Sequence, residues 1–201
     1  CAMAQATSKT AAAPMRQPVI LVLGDSLSAE YGLARGTGWV ALLEKQLTQE
    51  KLAATVVNAS VSGETTSGGR SRLAALLAQH KPTHVVIELG GNDALRGLPL
   101  KNTEENLTWM TQAAQKAGAK VLLVGMQVPP NYGTDYANKF AGLFATVAQA
   151  QKAAVVPFLL KGVADGPDPT RLFQPDRIHP RAEAHPQMLA NVWPELKKLL
   201  R

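Results

Sequence analysis

Ser26, Asp176 and His179 are the side chains on which hydrolytic chemistry would rest, with Gly63 and Asn92 the positions that would stabilise its charge. A serine hydroxyl is a poor nucleophile at neutral pH and needs a base that takes its proton as it attacks. His179 is such a base. Its second ring nitrogen needs an acceptor to fix the tautomer and stabilise the imidazolium. Asp176 stands on the same short stretch to supply one, Asp176-Arg177-Ile178-His179-Pro180. The oxyanion formed by attack on an acyl carbon must meet fixed donors, each worth roughly 3 kcal/mol of barrier. The backbone N–H groups of Ser26 and Gly63 and the side-chain amide of Asn92 are the candidates, and a glycine at 63 lets backbone and substrate approach closely.

Groups so far apart in sequence meet only if a fold gathers their loops, and the intervening chain has the pattern for that. Ser26 follows the apolar run Val19-Ile20-Leu21-Val22-Leu23 through Gly24 and Asp25, where a buried strand must turn outward. Further strands are predicted at Ala54 to Asn58, His84 to Leu89, Val121 to Gly125 and Val155 to Leu159, most of them without period-2 alternation. Strands apolar on both faces are covered on both faces. Helical spacing separates them: Trp39, Leu42, Leu43 and Leu47, then Leu73, Leu76 and Leu77, then Leu107, Met110 and Ala114, then Phe140, Leu143, Phe144 and Val147. A last helix runs through Met188, Leu189, Val192, Trp193, Leu196 and Leu199, with Pro194 expected to kink or break it. Alternating strands and helices predict an α/β protein, a parallel sheet between helical layers with right-handed crossovers. Every strand-to-helix loop then opens at the carboxyl edge of the sheet, so the segments holding Ser26, Gly63, Asn92 and Asp176-His179 can share one site.

Each piece alone has a plainer reading. Gly-Asp-Ser after a strand is commonly a turn and helix cap, Gly63 a loop glycine, and Gly90-Gly91-Asn92-Asp93 a turn whose Asn92 or Asp93 caps the next helix. His185-Pro186 repeats the His179-Pro180 dipeptide without an aspartate three residues upstream, so His185 is expected to be an exposed helix-start residue. His80 and His84 flank the entry to the third strand, away from the loop-bearing edge, and are read as structural. The weight lies in all four pieces arriving in order at one predicted edge.

Bulk properties narrow the remaining classes. At 201 residues and 21.4 kDa the chain supports one well-buried core, and residues 18–201 are read as a single domain. A hydrophobic fraction of 46 % against 18 % charged argues against global disorder, and no apolar run is long enough to cross a bilayer. Net charge is +6, but the basic residues are scattered, with Arg70 and Arg72, Lys197 and Lys198 the only close groups. That argues against a nucleic-acid partner. The one cysteine, Cys1, excludes an intramolecular disulfide, and two origins fit its place: a lipoprotein cleaved before its anchoring cysteine, or a cloning remnant. Residues 1–17, rich in Ala, Gln, Thr, Ser and Pro, are expected to form a flexible leader behind a removed export signal.

The same residues in the same order resemble the SGNH hydrolase family, also called the GDSL lipases and esterases. Gly24-Asp25-Ser26-Leu27-Ser28 matches the family's first block, Gly63 its glycine block, Gly90-Gly91-Asn92-Asp93 its asparagine block and Asp176 to His179 its last. Val57 to Thr65, Val86 to Asp93 and Pro129-Pro130-Asn131-Tyr132-Gly133 are similar to the TesA-like arylesterases, thioesterases and lysophospholipases of the bacterial periplasm. The resemblance spans about residues 19–200. It implies a flavodoxin-like three-layer α/β/α sandwich with a parallel five-stranded sheet, a periplasmic or secreted place, and ester and thioester hydrolysis without metal or organic cofactor. By position, Ser26 is the implied nucleophile, His179 the base and Asp176 its orienting partner, with Ser26, Gly63 and Asn92 the oxyanion hole. The chain departs from relatives at Glu30, where small residues are frequent and a carboxylate would make the mouth more acidic. Ser28 replaces the second glycine of a Gly-x-Ser-x-Gly elbow, so this is not the usual α/β-hydrolase arrangement.

Substrate contacts are expected from two apolar loops, Leu95 to Leu100 and Met126 to Tyr132, with Leu95, Leu98, Val128, Pro129, Pro130 and Tyr132 lining an acyl groove. Pro129-Pro130 would stiffen the second loop while Gly125 and Gly133 act as hinges. The expected substrates are small-molecule esters with short to medium acyl chains. A carbohydrate or peptidoglycan deacetylase is the rival within the same chemistry. A non-catalytic module binding phosphate at the first loop is the rival outside it, though it leaves Asp176 and His179 without a purpose.

Overall fold

A computed structural model describes residues 17–201, the side chain of Pro130 excepted, so Cys1 and nearly all of the expected leader lie outside the described residues. Five parallel strands form one sheet in the order β2-β1-β3-β4-β5: β1 (Val19–Gly24), β2 (Thr55–Asn58), β3 (His84–Glu88), β4 (Lys120–Val124) and β5 (Ala154–Val156). The register aligns Ile20 with Val56 on one side and with His84 on the other, and His84 in turn with Lys120. Ile20 to Leu23, Val85 to Ile87 and Leu122 to Val124 are almost wholly buried, as uninterrupted apolar runs require when helices cover both faces.

Helix α1 (Trp39–Gln49) packs on α6 (His185–Leu199), while α2 (Thr66–His80), α4 (Leu100–Lys116) and α5 (Thr134–Gln151) pack side by side in a second layer. Trp39, Leu43, Leu107, Met110, Phe140, Phe144, Met188 and Val192, the residues whose spacing pointed to helices, are the ones these helices bury. A five-residue helix, α3 (Gly91–Leu95), replaces the expected turn after β3; Gly90 ahead of it has φ +118, a left-handed position that glycine enters without strain.

Three expectations need correction. β5 stops at Val156, short of Leu159, because Pro157 has no N–H to extend the ladder. Pro194 does not break α6, which runs continuously to Leu199; Ala190, whose carbonyl loses its helical donor there, is exposed, so water can take the donor's place. Gly125 is not a hinge: its N–H donates to the Val156 carbonyl at 2.8 Å and its carbonyl accepts from Leu159 at 2.9 Å. A Cβ there would lie 2.4 Å from the Pro157 carbonyl oxygen, so it is glycine for close approach.

Candidate active site

Strand order decides what surrounds Ser26. β1 lies between β2 and β3, so the loop after it is flanked by the loop holding Gly63 and by α3 holding Asn92, at the point where the winding of the sheet reverses. The turn itself is local. Asp25 Oδ1 accepts the Leu27 N–H at 3.0 Å, and the Asp25 carbonyl accepts from Ser28 and Ala29, which sets Ser26 at the head of a tight helical turn.

His179 reaches Ser26 from the far end of the chain. Its Nδ1–H donates to Asp176 Oδ2 at 2.6 Å, which leaves Nε2 to accept from Ser26 Oγ at 2.8 Å. Asp176 Oδ1 also accepts the N–H groups of Ile178 at 2.9 Å and His179 at 3.0 Å, so one carboxylate shapes the loop and orients the ring. Partial burial would raise the Asp176 carboxyl, but these bonds from His179 and Ile178 outweigh it and hold it down to about 2. The loop is closed at its base, where Gln174 N–H donates to the His179 carbonyl and Arg181 N–H to the Leu172 carbonyl, each at 2.7 Å.

The three expected oxyanion donors are not equivalent. Among the described residues the backbone N–H groups of Ser26 and Gly63 have no intramolecular acceptor, and Gly63 holds φ +79. Asn92 is already engaged: Nδ2 donates to Asp25 Oδ2 at 2.9 Å and to the Glu64 carbonyl at 3.0 Å. Asp93 beside it is buried and accepts from Thr66 N–H at 2.9 Å and from the Thr66 and Thr103 hydroxyls, tying α3 to the starts of α2 and α4. Arg96 Nη2 donates to the Gly63 carbonyl at 2.9 Å and ties the loop after β2 to the end of α3.

Beneath the serine lies a pair of buried carboxyls. Glu88, the last residue of β3, accepts from Ser28 Oγ at 2.7 Å, and Ser28 accepts from Trp39 Nε1 at 3.1 Å. Complete burial, then the Asp25 charge, push Glu88 well above the usual carboxylate range. Burial likewise pushes Asp25 up to about 6, against the Leu27 N–H, the His179 charge and Asn92. Ser28 is thus a structural partner of Glu88.

Two other polar residues depart from expectation. His185 starts α6 as expected but is 2 % exposed; its Nδ1 accepts the Trp39 N–H at 2.9 Å and so caps α1, whose Gly38 has no side chain to do so. Burial pushes His185 below its usual value, against the Glu30 charge and the Pro180 carbonyl. The Glu30 carboxylate is spent on its own loop, where Oε1 accepts from Gly36 at 3.0 Å and Gly38 at 2.8 Å. His84 is structural, its ring between Thr83 Oγ1 and the Leu199 carbonyl.

The expected acyl-groove residues are placed at the carboxyl edge by the topology, but no bond or ring contact joins them to Ser26 or His179. Leu95 ends α3 and is exposed, Leu98 is half-buried, Val128 is half-buried against the core, and Pro129 is exposed. Tyr132 is partly exposed and stacks on Tyr136, which stacks on Phe140. The Pro130 side chain lies outside the described ones. A groove of about 370 Å³ between α4 and α5 and one of about 430 Å³ beside Trp109 hold none of Ser26, Asp176 and His179. Tyr31, not anticipated, packs its ring 4.3 Å from that of His179. The available signal was an aromatic residue five positions after Ser26 in the same loop. Among the described residues no group of three or more His, Cys, Asp or Glu side chains is placed to hold a metal ion, and no helix is long and apolar enough to cross a membrane.

The model of the GDSL-like lipase/acylhydrolase family matches residues 22–186, most of the chain. The chain belongs to the GDSL-like lipase/acylhydrolase family. Within this family it is 52 % identical over 181 residues to the esterase TesA of Pseudomonas aeruginosa, covering 90 % of this chain and 89 % of that one. The thioesterase 1/protease 1/lysophospholipase L1 of Escherichia coli K12 is 41 % identical over 167 residues, 83 % of this chain and 77 % of the relative. Among solved structures, the psychrotrophic esterase EstA from a Pseudoalteromonas species, inhibited by monoethylphosphonate, superposes with a TM-score of 0.85 at 41 % identity, covering 92 % of this chain and 99 % of that one. The five-stranded α/β architecture of this GDSL-like chain is therefore that of the SGNH hydrolases.

Proposed function

We propose that the chain is a serine esterase that hydrolyses carboxylic esters and thioesters through an acyl-enzyme on Ser26. The observation that carries this is the relay from Ser26 Oγ to His179 Nε2 at 2.8 Å and from His179 Nδ1 to Asp176 at 2.6 Å, beside two free backbone amides. The acyl carbonyl oxygen enters between the N–H groups of Ser26 and Gly63 as Ser26 attacks and His179 takes its proton. Asn92 supplies the third donor by turning one Nδ2 hydrogen from the Glu64 carbonyl to the oxyanion. His179 then protonates the leaving alcohol or thiol, and water activated by the same ring releases the acid.

Leu95, Leu98, Val128, Pro129, Pro130 and Tyr132 are assigned to the acyl side, which favours short to medium chains. Aryl esters, acyl-thioesters and lysophospholipids are the substrate classes of this reading, supported by the names of the relatives. No metal or organic cofactor takes part. Residues 18–201 act as one catalytic domain, and the protein works in the periplasm or outside the cell, which fractionation of the native host tests. Ser26→Ala is expected to lower turnover about a thousandfold or more while leaving Tm nearly unchanged; undiminished hydrolysis would overturn the assignment. A p-nitrophenyl ester series that peaked at acetate alone would favour the deacetylase reading.

A further inference from the structure

Tyr31 is a large aromatic side chain set in the open beside a reacting group. Its ring lies 4.3 Å from the His179 ring, with the planes at 37°, yet the residue is 50 % exposed. The chain spends backbone conformation to put it there. Glu30 before it has φ +59 and Gly32 after it φ +69, so Tyr31 stands between two left-handed residues, a state that a side chain such as glutamate enters reluctantly. The Glu30 carboxylate offsets this by accepting from Gly36 and Gly38. Gln174, at the base of the histidine loop, donates Nε2–H to the Tyr31 carbonyl at 2.9 Å. Its side chain also fills the space that a Cβ on Gly32 would need, with Oε1 2.2 Å from that point. Strain held by its surroundings gathers where ligands bind.

His179 Nε2 fixes what meets this ring. The proton leaves Ser26 on that nitrogen and must next reach the departing oxygen or sulfur, so the leaving group lies against Nε2 and beside Tyr31. The oxyanion donors Gly63 and Asn92 belong to other segments, the loop after β2 and helix α3 after β3. We propose that Tyr31 is the leaving-group platform, its half-exposed ring stacking on the ring of an aromatic alcohol or phenol. It is therefore the residue that makes aryl and arylmethyl esters preferred over saturated esters of equal size. This rests on the esterase reading above.

The test compares kcat/KM for benzyl butyrate and cyclohexylmethyl butyrate, which share the acyl group and have leaving alcohols of similar size and basicity. The wild-type chain is expected to favour the benzyl ester roughly three- to tenfold, the range of an aromatic pair. Tyr31→Phe and Tyr31→Trp keep the ratio, and Tyr31→Leu brings it to about one. A ratio that survives in Tyr31→Leu overturns the platform, and so does an equal loss on both esters, which would mean that Tyr31 only supports His179. Hydrolysis of both esters by the wild type without preference also overturns it, while leaving the esterase intact. Failure of the esterase reading looks different: neither ester is cleaved and Ser26 is not labelled by a fluorophosphonate, which takes the platform down with it.

Discussion

One carboxylate does two jobs at Asp176: it receives the His179 ring and it holds the backbone N–H groups that form the loop. Its carboxyl is held down to about 2, so it stays ionised across the working range and should leave no titration in the pH–rate profile above about pH 3. Asp176→Asn keeps the size but offers the ring a poorer partner. Steady-state kinetics should show kcat lower by roughly 10³- to 10⁴-fold, the scale of the same change in other triads. Asn92→Ala should cost about 10²- to 10³-fold in kcat if its amide turns to the oxyanion, with KM nearly unchanged; a loss confined to KM would remove it from the hole. That Ser26, Asp176 and His179 meet was legible in the sequence because their loops were predicted at one sheet edge. Tyr31, Arg96 and His185 were not, because what matters in them is a through-space contact: a ring on a ring, a guanidinium on a carbonyl, an imidazole capping a helix 146 positions away in sequence.

Elements were legible where a single physical signal dominated. Uninterrupted runs such as Val19 to Leu23 gave buried strands, and the spacing of Phe140, Leu143, Phe144 and Val147 gave α5. Signals failed where neighbours decide. Nothing local shows that Gly125 must let the Pro157 carbonyl approach, so it read as a hinge. Gly125→Ala should therefore cost about 1–3 kcal/mol, the range for overpacking, and lower Tm by several degrees in thermal melts. An unchanged Tm would restore the hinge. Pro194 was read by the rule that proline kinks or breaks helices, and α6 runs on through it without a break, carrying it on an exposed face. Replacing it by Ala returns the missing N–H and should stabilise the fold by about 1–2 kcal/mol, part of the roughly 3 kcal/mol helix penalty being offset by the greater freedom of the unfolded chain.

The whole molecule balances buried groups that titrate in opposite senses: the carboxyls of Asp25 and Glu88 beneath Ser26, and the imidazoles of His84 at the start of β3 and His185 at the start of α6. Glu88 in the apolar run Val85-Val86-Ile87-Glu88-Leu89 is the sequence mark of this, a carboxyl where a hydrophobe would pack. Its Oε1 has no hydrogen-bond partner among the described residues, while its Oε2 accepts from the Asp25 N–H at 3.4 Å and from Ser28 Oγ, which in turn accepts from Trp39 Nε1. Carboxyls raised on folding bind protons more tightly in the native state. Their contribution is full below the unfolded values of 4.5 for Glu88 and 3.8 for Asp25, and is lost as pH rises through the folded values, about 6 for Asp25 and well above the usual carboxylate range for Glu88. His84 and His185, both lowered by burial, act in the other direction: their contribution is present above 6.5 and lost as pH falls toward their folded values. Stability should therefore peak in mildly acidic solution and decline on both sides, at up to about 1.4 kcal/mol per pH unit for each proton involved. Glu88→Gln isolates the alkaline limb. The amide can accept from Ser28 and donate to Asp25, yet it never ionises, so the variant should melt several degrees above the wild type at pH 8, with the gap closing toward pH 4. Melts at pH 4, 6 and 8 read this directly. A gap independent of pH would mean that Glu88 sets packing alone, and a wild type more stable at pH 8 would mean that its ionised form is held by the site beneath Ser26.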